Sequence, residues 1–222
     1  MKKLLLCFAL VGLLLTGCTK NYESVDDYVK EMKEKRAKYE VFFFEANKAD
    51  VNGNTFSRNM FEGNKFRTDL SDDAGYTYKS SVLYDGKDVY EFVEADKTAV
   101  VTSGVDAQTA IEMNPFYPVT NWWEDIESGK VSAKFVKNKY FEDSFNCRLL
   151  DFSDGREACI ADNYGIATYY KQEPKSQGYK REGVIIDVIH IDVKTTVPPN
   201  LFVLPEDVVK KDKTIEKKEE KK

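Results

Sequence analysis

The chain offers few residues of the type and spacing that catalysis requires. Its only histidine, His190, lies between Ile189 and Ile191 in an apolar run, where an imidazole more often packs or faces solvent than acts as a general base. The sequence contains no Gly-x-Ser-x-Gly, no phosphate-binding glycine loop and no Cys-x-x-Cys. We therefore expect no enzyme activity, and we predict neither a catalytic residue nor a cofactor.

One short acidic stretch has the composition of a calcium loop but not its spacing. Residues 50–54 read Asp-Val-Asn-Gly-Asn, with glycine at the fourth position instead of the sixth. Phe61 occupies the twelfth position, where a calcium loop needs Glu. Asn52-Gly53 instead fits a hairpin turn, because both residues adopt positive φ readily. No metal site is predicted.

The N-terminus carries a modification signal. Lys2 and Lys3 precede an apolar run of 12 residues, 4–15, which is shorter than the about 20 residues of a membrane-spanning helix. The run ends in Leu-Thr-Gly-Cys18, which resembles the lipobox of bacterial lipoproteins. That resemblance implies a signal peptide over 1–17, a Cys18 that carries fatty acyl chains such as palmitate, and a tether over 18–23. The alternative is ordinary cleavage that leaves Cys18 as a thiol.

The expected partners follow from the anchor and from the charge. Two or three acyl chains on Cys18 would hold the protein on a membrane, where a single chain is marginal. Thr19 after the cysteine, by resemblance to Gram-negative sorting signals, favours the periplasmic face of the outer membrane; the inner membrane is the alternative. A net charge of −5 without a basic stripe argues against nucleic acid as a partner.

Cys147 and Cys159 flank a predicted hairpin, and an oxidising envelope would allow them to form a disulfide. A two-residue loop at 154–155 would place Cys147 opposite Asp162 and Cys159 opposite Leu150. The pair therefore requires a three-residue or bulged turn. We predict a structural bond that staples the hairpin.

Residues 56–101 have the pattern of an antiparallel meander. Runs of aromatic and β-branched residues alternate with turns such as Gly63-Asn64 and Asp85-Gly86, about every 8 to 12 residues. The run 39–46 is apolar on both faces, which predicts a central strand. Further strands are predicted at 131–136, 147–152, 158–162, 166–172 and 183–194. The inner face is predicted to carry Phe42, Phe44, Phe66, Leu70, Tyr76, Tyr78, Val82 and Tyr84.

Two helical segments are predicted. Ser24 and Asp27 form a capping box, and apolar residues at helical spacing extend the first helix over 24–39. In the second segment, Asp106 caps a helix that ends at Met113, prolines make 114–119 irregular, and Thr120 caps a helix over 121–126.

Residues 107–129 form the expected lid over the sheet, and they carry Phe116, Trp122 and Trp123. Neighbouring residues lie about 100° apart on a helix. At least one indole is therefore expected to face something other than the core, and the alternative is that both are packed.

Together these elements resemble the lipoprotein localisation factor superfamily, of LolA/LolB type, over residues 24–208. The resemblance rests on the lipobox, on Gly63-Asn-Lys-Phe-Arg67 and Leu83-Tyr-Asp-Gly-Lys-Asp-Val-Tyr-Glu-Phe92, and on the closing Asn200-Leu-Phe-Val-Leu-Pro-Glu-Asp-Val208. It implies an incomplete β-barrel whose concave apolar face is plugged by helices and accepts acyl chains. Members of the superfamily are lipoprotein carriers, anchored acceptors and sensors of envelope stress.

The expected fold is therefore α+β: a single strongly curved antiparallel sheet of about ten or eleven strands, with helices against its concave face. A closed barrel is the alternative.

The expected function is binding of lipid or lipoprotein acyl chains by a lipid-anchored protein, in lipoprotein or lipid trafficking. An anchored interaction module or stress sensor with a packed core and an envelope protein partner is the alternative function. The mixed-charge tail 209–222 is expected to be disordered. The predicted cavity residues are Phe42, Phe44, Phe66, Tyr76, Tyr78, Tyr84, Phe116, Trp122 and Trp123.

Overall fold

The computed structural model describes residues 22–72, 77–136, 145–173, 183–194, 196–198 and 200–213. Within these residues the helices are α1 (Val25–Ala37), α2 (Ala107–Glu112), α3 (Tyr117–Thr120) and α4 (Glu124–Glu127). The strands are β1 (Val41–Asp50), β2 (Gly53–Glu62), β3 (Lys65–Ser71), β4 (Ser80–Tyr84), β5 (Val89–Val93), β6 (Thr98–Thr102), β7 (Ala133–Phe135), β8 (Cys147–Phe152), β9 (Arg156–Ala161), β10 (Ala167–Gln172), β11 (Val184–Lys194) and β12 (Val209–Asp212).

All twelve described strands belong to one curved sheet, in the order β12-β6-β5-β4-β3-β2-β1-β11-β10-β9-β8-β7. Its two ends, β12 and β7, do not pair with each other, so the sheet is unclosed over the described residues. Strand β1 lies in the interior between β2 and β11, as its two-sided apolar pattern predicts. The expectation of an α+β fold with an incomplete barrel is confirmed at this level, with more strands than the sequence indicated.

Helix α1 begins where the capping box predicts. The Ser24 hydroxyl accepts from the Asp27 backbone N–H at 3.1 Å and donates to the Asp27 carboxylate at 2.8 Å. The buried stripe of α1 consists of Tyr28, Val29 and Met32. The helix backbone passes so close to Gly165, in the β9–β10 turn, that a Cβ there would lie 2.2 Å from the Met32 carbonyl oxygen. Only glycine fits this approach.

The second helical region differs in part from the sequence prediction. Asp106 caps α2 through the Thr109 backbone N–H at 2.9 Å, as expected. Residues 117–120 nevertheless form α3, because Pro118 lies in its first turn, where proline lacks only an N–H that would have no helical partner. The predicted cap at Thr120 is wrong, since Thr120 ends α3 and α4 begins at Glu124 without a side-chain cap.

The chain after β11 returns over the outer face of the sheet. The Arg67 guanidinium donates to the Leu201 carbonyl at 3.2 Å, and Leu204 packs against Leu83, Tyr90 and Val101. Residues 209–212 then pair in parallel with β6 as β12. The prediction that the disordered tail begins at 209 is therefore wrong for these four residues. The edge strand of a sheet offers unpaired backbone N–H and C=O groups, so another segment can pair with it whatever side chains that segment carries. Residues 214–222 lie outside the described part.

The β8–β9 hairpin contains the expected disulfide. Cys147 and Cys159 are bonded, with their Cα atoms 5.3 Å apart. The register pairs Cys147 with Ala161 and Leu149 with Cys159, which leaves a three-residue loop at 153–155. The bond is thus diagonal across the hairpin, and the turn has one of the two forms that the sequence required.

The described residues contain one main hydrophobic core. Buried side chains from α1, from α2 to α4 and from the sheet form a single cluster that includes Met32, Phe44, Ala110, Trp122 and Ile186. No described helix has the length and apolarity needed to cross a lipid bilayer.

Candidate functional site

A row of aromatic side chains crosses four neighbouring strands on the inner face of the sheet. Phe42 of β1 is opposite Phe61 of β2, Phe61 is opposite Phe66 of β3, and Phe66 is opposite Tyr84 of β4. We call these four residues the aromatic row. None of them is more than 3% exposed, so the row lies inside the core.

The row is continuous. The ring centroids of Phe61 and Phe66 are 6.2 Å apart, and those of Phe66 and Tyr84 are 6.1 Å apart. Phe44 extends the row along β1, 6.0 Å from Phe42 and nearly parallel to Phe61 at 6.0 Å. Alternation along each strand produces this arrangement, because every second residue faces the same side.

Sequence reasoning missed Phe61 although a signal was present. Gly63 and Asn64 form a two-residue hairpin turn with Glu62 paired to Lys65, and the next pair outward is then Phe61 and Phe66. The turn prediction therefore already implied that Phe61 shares a face with Phe66.

The helical segment, residues 106–129, contributes side chains to the same cluster as the row. Ala110, Phe116, Val119, Trp122 and Trp123 are all buried there. Phe116 meets Phe44 edge-on, with 6.3 Å between ring centroids. In this structure the aromatic row is covered by protein side chains.

Both tryptophans are packed. Trp122 is 3% exposed and Trp123 is 8% exposed, and their rings meet at 5.5 Å in an edge-to-face contact. The Trp122 indole N–H donates to the Gly165 carbonyl at 3.1 Å. The alternative that both indoles lie in the core is thus the arrangement found, and Gly165 joins the helical segment, the β9–β10 turn and α1.

A chain of buried polar side chains runs beside the aromatic row. The Asn59 amide donates to the Ser57 hydroxyl at 2.8 Å, and the Thr68 hydroxyl donates to the Asn59 carbonyl at 2.9 Å. The Asn114 amide then donates to the Thr68 hydroxyl at 3.1 Å, and its carbonyl accepts from the Phe116 backbone N–H at 2.8 Å. The helical segment is therefore attached to β2 and β3 by a polar network inside the core.

Arg36, in the last turn of α1, lies at the start of the aromatic row. Its guanidinium carbon is 4.5 Å from the ring centroid of Phe42 and 5.7 Å from that of Phe61. One Nη donates to the Tyr39 carbonyl at 3.2 Å. Burial lowers the pKa of Arg36 to about 10.

This chain resembles a solved structure from Thermus thermophilus in its fold. That crystal structure, of an uncharacterized conserved protein, has a TM-score of 0.55 at 9% identity and covers 84% of this chain and 99% of its own. At this identity the likeness shows the fold alone.

Two further solved structures align less well. A crystal structure of MucB has a TM-score of 0.49 at 12% identity, with 81% of this chain and 63% of that chain covered. A structure of PNGF-II has a TM-score of 0.38 at 4% identity, with 78% and 32% covered. No family model matches the sequence, and no curated protein matches it.

The structure brings seven of the nine predicted cavity residues together. Tyr78 is not among them: its ring lies 5.1 Å from the guanidinium carbon of Arg58, which pairs with Glu45 on the outer face of the sheet. Residue 78 precedes β4, so the strand alternation that the prediction assumed does not apply to it. Tyr76 and Cys18 lie outside the described residues. The seven that meet are Phe42, Phe44, Phe66, Tyr84, Phe116, Trp122 and Trp123.

A groove of about 480 Å³ lies on the outer face, between β5 and the returning C-terminal chain. Tyr90 lines it, whereas its neighbour Val89 belongs to the core cluster, so the groove and the aromatic row are on opposite faces. Glu62, Lys65, Asp85 and Lys210 also line the groove. Charges of both signs make it unsuited to an acyl chain.

Proposed function

We propose that the protein binds acyl chains of lipids or lipoproteins, without chemistry, between the aromatic row and the helical segment. The observation that carries this proposal is the continuous aromatic row on the inner face of an unclosed sheet, which shares one hydrophobic cluster with side chains of the helical segment. Burial of an acyl chain of about 14 methylenes contributes on the order of 10 kcal/mol before ordering costs. That is sufficient for reversible binding.

The helical segment is the part that would move. Its helices have 6, 4 and 4 residues, and helices this short have little stability of their own. An acyl chain would take the positions of Phe116, Trp122 and Trp123 against the row. The polar contacts Asn114–Thr68 and Trp122–Gly165 would then break or shift.

Tryptophan fluorescence can test binding directly, because the chain has only two tryptophans and both lie in the proposed site. The form that begins at Thr19 contains every described residue and suits the assay. A brominated fatty acid should quench the emission, whereas oleate at the same concentration should bind without quenching. Unchanged emission, together with no lipid adduct in native mass spectrometry, would rule the proposal out.

A pair of adjacent residues supplies a matched control. Phe44 lies in the core, whereas Phe43 faces the other side of the sheet. Phe44→Ala should weaken acyl binding, and Phe43→Ala should leave it near the wild-type value. Circular dichroism would establish that both variants remain folded.

We further propose that acylated Cys18 holds the domain at a membrane of the cell envelope, on its periplasmic face. The lipobox and the LolA/LolB resemblance support this part. Cys18→Ser should abolish labelling by a clickable palmitate analogue and should move the protein out of the membrane fraction, or leave its signal peptide uncut. A Ser variant that is processed and sediments with membrane as wild type does would contradict the anchor.

Complete burial of the site favours a second candidate, an anchored interaction module in which the row is only packed core. Phe42, Phe44, Phe66 and Phe116 have no exposed surface, and both the nitrogen and the oxygen of the Asn114 amide are hydrogen-bonded. In that case acyl probes should neither quench the tryptophans nor stabilise the protein against heat. The quenching experiment therefore separates the two candidates.

A further inference from the structure

Arg36 differs from every other arginine that the structure describes. Arg58 pairs with Glu45, Arg67 with Asp69, Arg148 with Asp162, and Arg156 with Asp154 and Asp125. Within the described residues no carboxylate lies within ion-pairing distance of Arg36, and its one hydrogen bond goes to the Tyr39 carbonyl. A guanidinium carries five N–H donors. Most of its donors therefore have no protein acceptor in the described part of the chain.

The setting of Arg36 favours an anion beside it. Its guanidinium carbon lies over the Phe42 ring at 4.5 Å and 5.7 Å from the Phe61 centroid, so aromatic carbon rather than an anion surrounds part of the group. Burial is the cause of its lowered pKa. A partly dehydrated cation gains more from an anion than a fully hydrated one does.

The position of Arg36 also indicates what the anion would belong to. Phe42 and Phe61 form the first cross-strand pair of the aromatic row, which continues through Phe66 to Tyr84. A cation at one end of an apolar row matches an amphiphile that has a charged head and an apolar chain. The contact with Phe42 and the bond to the Tyr39 carbonyl position the guanidinium, whose forked N–H groups suit an oxyanion that accepts two of them.

We propose that Arg36 binds the anionic headgroup, a carboxylate or a phosphate, of the amphiphile whose acyl chain occupies the aromatic row. This inference rests on the proposed function, since it names the class of ligand that the same site selects. The bond to the Tyr39 carbonyl stays in place and orients the guanidinium. Neutral amphiphiles of equal chain length bind less tightly.

Three probes with the same chain test the selection: palmitate, hexadecyl phosphate and hexadecanol, each below its critical micelle concentration or solubility limit, with the form that begins at Thr19. Displacement of the brominated fatty acid gives each affinity. Charge-assisted hydrogen bonds predict that one or both anions bind about 10- to 100-fold more tightly than hexadecanol. A preference for palmitate alone or for hexadecyl phosphate alone assigns the headgroup, and either supports the proposal.

Variants at the C-terminal end of α1 distinguish a specific contribution of Arg36 from the effect of positive charge in general. Arg36→Gln should reduce the preference to less than about threefold, and Arg36→Lys should keep part of it because the charge remains. Lys38→Gln removes an equal charge from the exposed C-cap residue that follows α1, and it should leave the preference unchanged. Thermal unfolding of each variant shows whether it is folded.

Each remaining result would overturn the proposal. If wild type binds hexadecanol as tightly as the anions, the headgroup site is wrong while acyl binding stands. If Arg36→Gln keeps the full preference, another residue binds the headgroup. If no probe binds, the proposed function fails and the headgroup site fails with it. If Arg36→Gln does not fold, the wild-type comparison still tests whether the site selects an anion, and an unchanged preference in Arg36→Lys would show that Arg36 is not the residue that binds it.

Discussion

Asn114 and Thr68 join the helical segment to the sheet by a hydrogen bond of 3.1 Å between side chains that are 3% and 0% exposed. They are separated by 46 residues of sequence. A buried polar group that loses its partner costs about 1 to 3 kcal/mol. The bond therefore specifies one position of the helical segment on the sheet, since a shifted segment would leave polar groups of the network without partners.

Asn114→Ala should lower the free energy of unfolding by about 1 to 3 kcal/mol, because it removes a donor to Thr68 and the acceptor for the Phe116 N–H. Urea denaturation measures the loss. Hydrogen exchange should accelerate in residues 107–127 more than in β1. Asn121→Ala is the control, since Asn121 is only half-buried and bonds to neighbours in its own segment. Equal stability of the two variants would show that the buried network does not hold the segment.

The two tryptophans should differ on replacement by phenylalanine. Both changes remove buried ring area, but Trp122→Phe also leaves the Gly165 carbonyl without the indole donor. We expect Trp122→Phe to cost about 1 to 3 kcal/mol more than Trp123→Phe in urea denaturation. The corresponding alanine variants should each lose about 3 to 5 kcal/mol, as expected for buried indoles. A larger loss for Trp123→Phe would contradict the role of the indole bond.

Gly165→Ala should be among the most damaging single changes in the chain. Its φ is +72° and its new Cβ would meet the Met32 carbonyl oxygen at 2.2 Å, so α1 would have to move. We expect a loss above about 4 kcal/mol in thermal or urea unfolding. Gly104→Ala is the matched control, with φ +68° and open space around the new Cβ. It should cost only the about 1 to 2 kcal/mol of a left-handed alanine.

The cap of α2 should make stability depend on pH. The backbone N–H of Thr109, and then its hydroxyl, hold the pKa of Asp106 below its usual value. A carboxyl whose folded pKa is depressed contributes stability above its unfolded pKa, which is about 3.9, and loses the contribution as pH falls through the folded value. Asp106→Asn keeps a capping oxygen that does not titrate.

Urea midpoints for wild type and Asp106→Asn measure this effect between about pH 6 and about pH 3. Wild type should lose more stability than the variant over the acid part of the range. Other carboxylates titrate equally in both proteins, so the difference between the two curves isolates Asp106. Parallel curves would exclude the cap as a source of acid sensitivity.

Local features were predictable from the sequence because their causes are local. The caps at Ser24 and Asp106 need only an oxygen within reach of the next turn, and both are found. The Gly63-Asn64 turn sets the β2–β3 register without reference to the rest of the chain. The aromatic face was predicted for the strands in which alternation holds, and it was wrong at Tyr78, which lies outside a strand.

Long-range features required the tertiary structure. No local pattern shows that β1 pairs with β11, about 140 residues later, or that the charged residues 209–212 join the edge of β6. The sequence left open whether the two tryptophans faced the core, because their burial depends on how the short helices lie on the sheet.

The sequence by itself determined the meander, the starts of α1 and α2 and the three-residue or bulged turn that the cysteine pair needs, since propensity, capping and hairpin register act over a few residues. Only the tertiary structure decided that a helix-end arginine lies on Phe42 and Phe61 and has no carboxylate partner among the described residues. The physical reason is that the environment of a charge is made by elements distant in sequence, and packing alone brings them together.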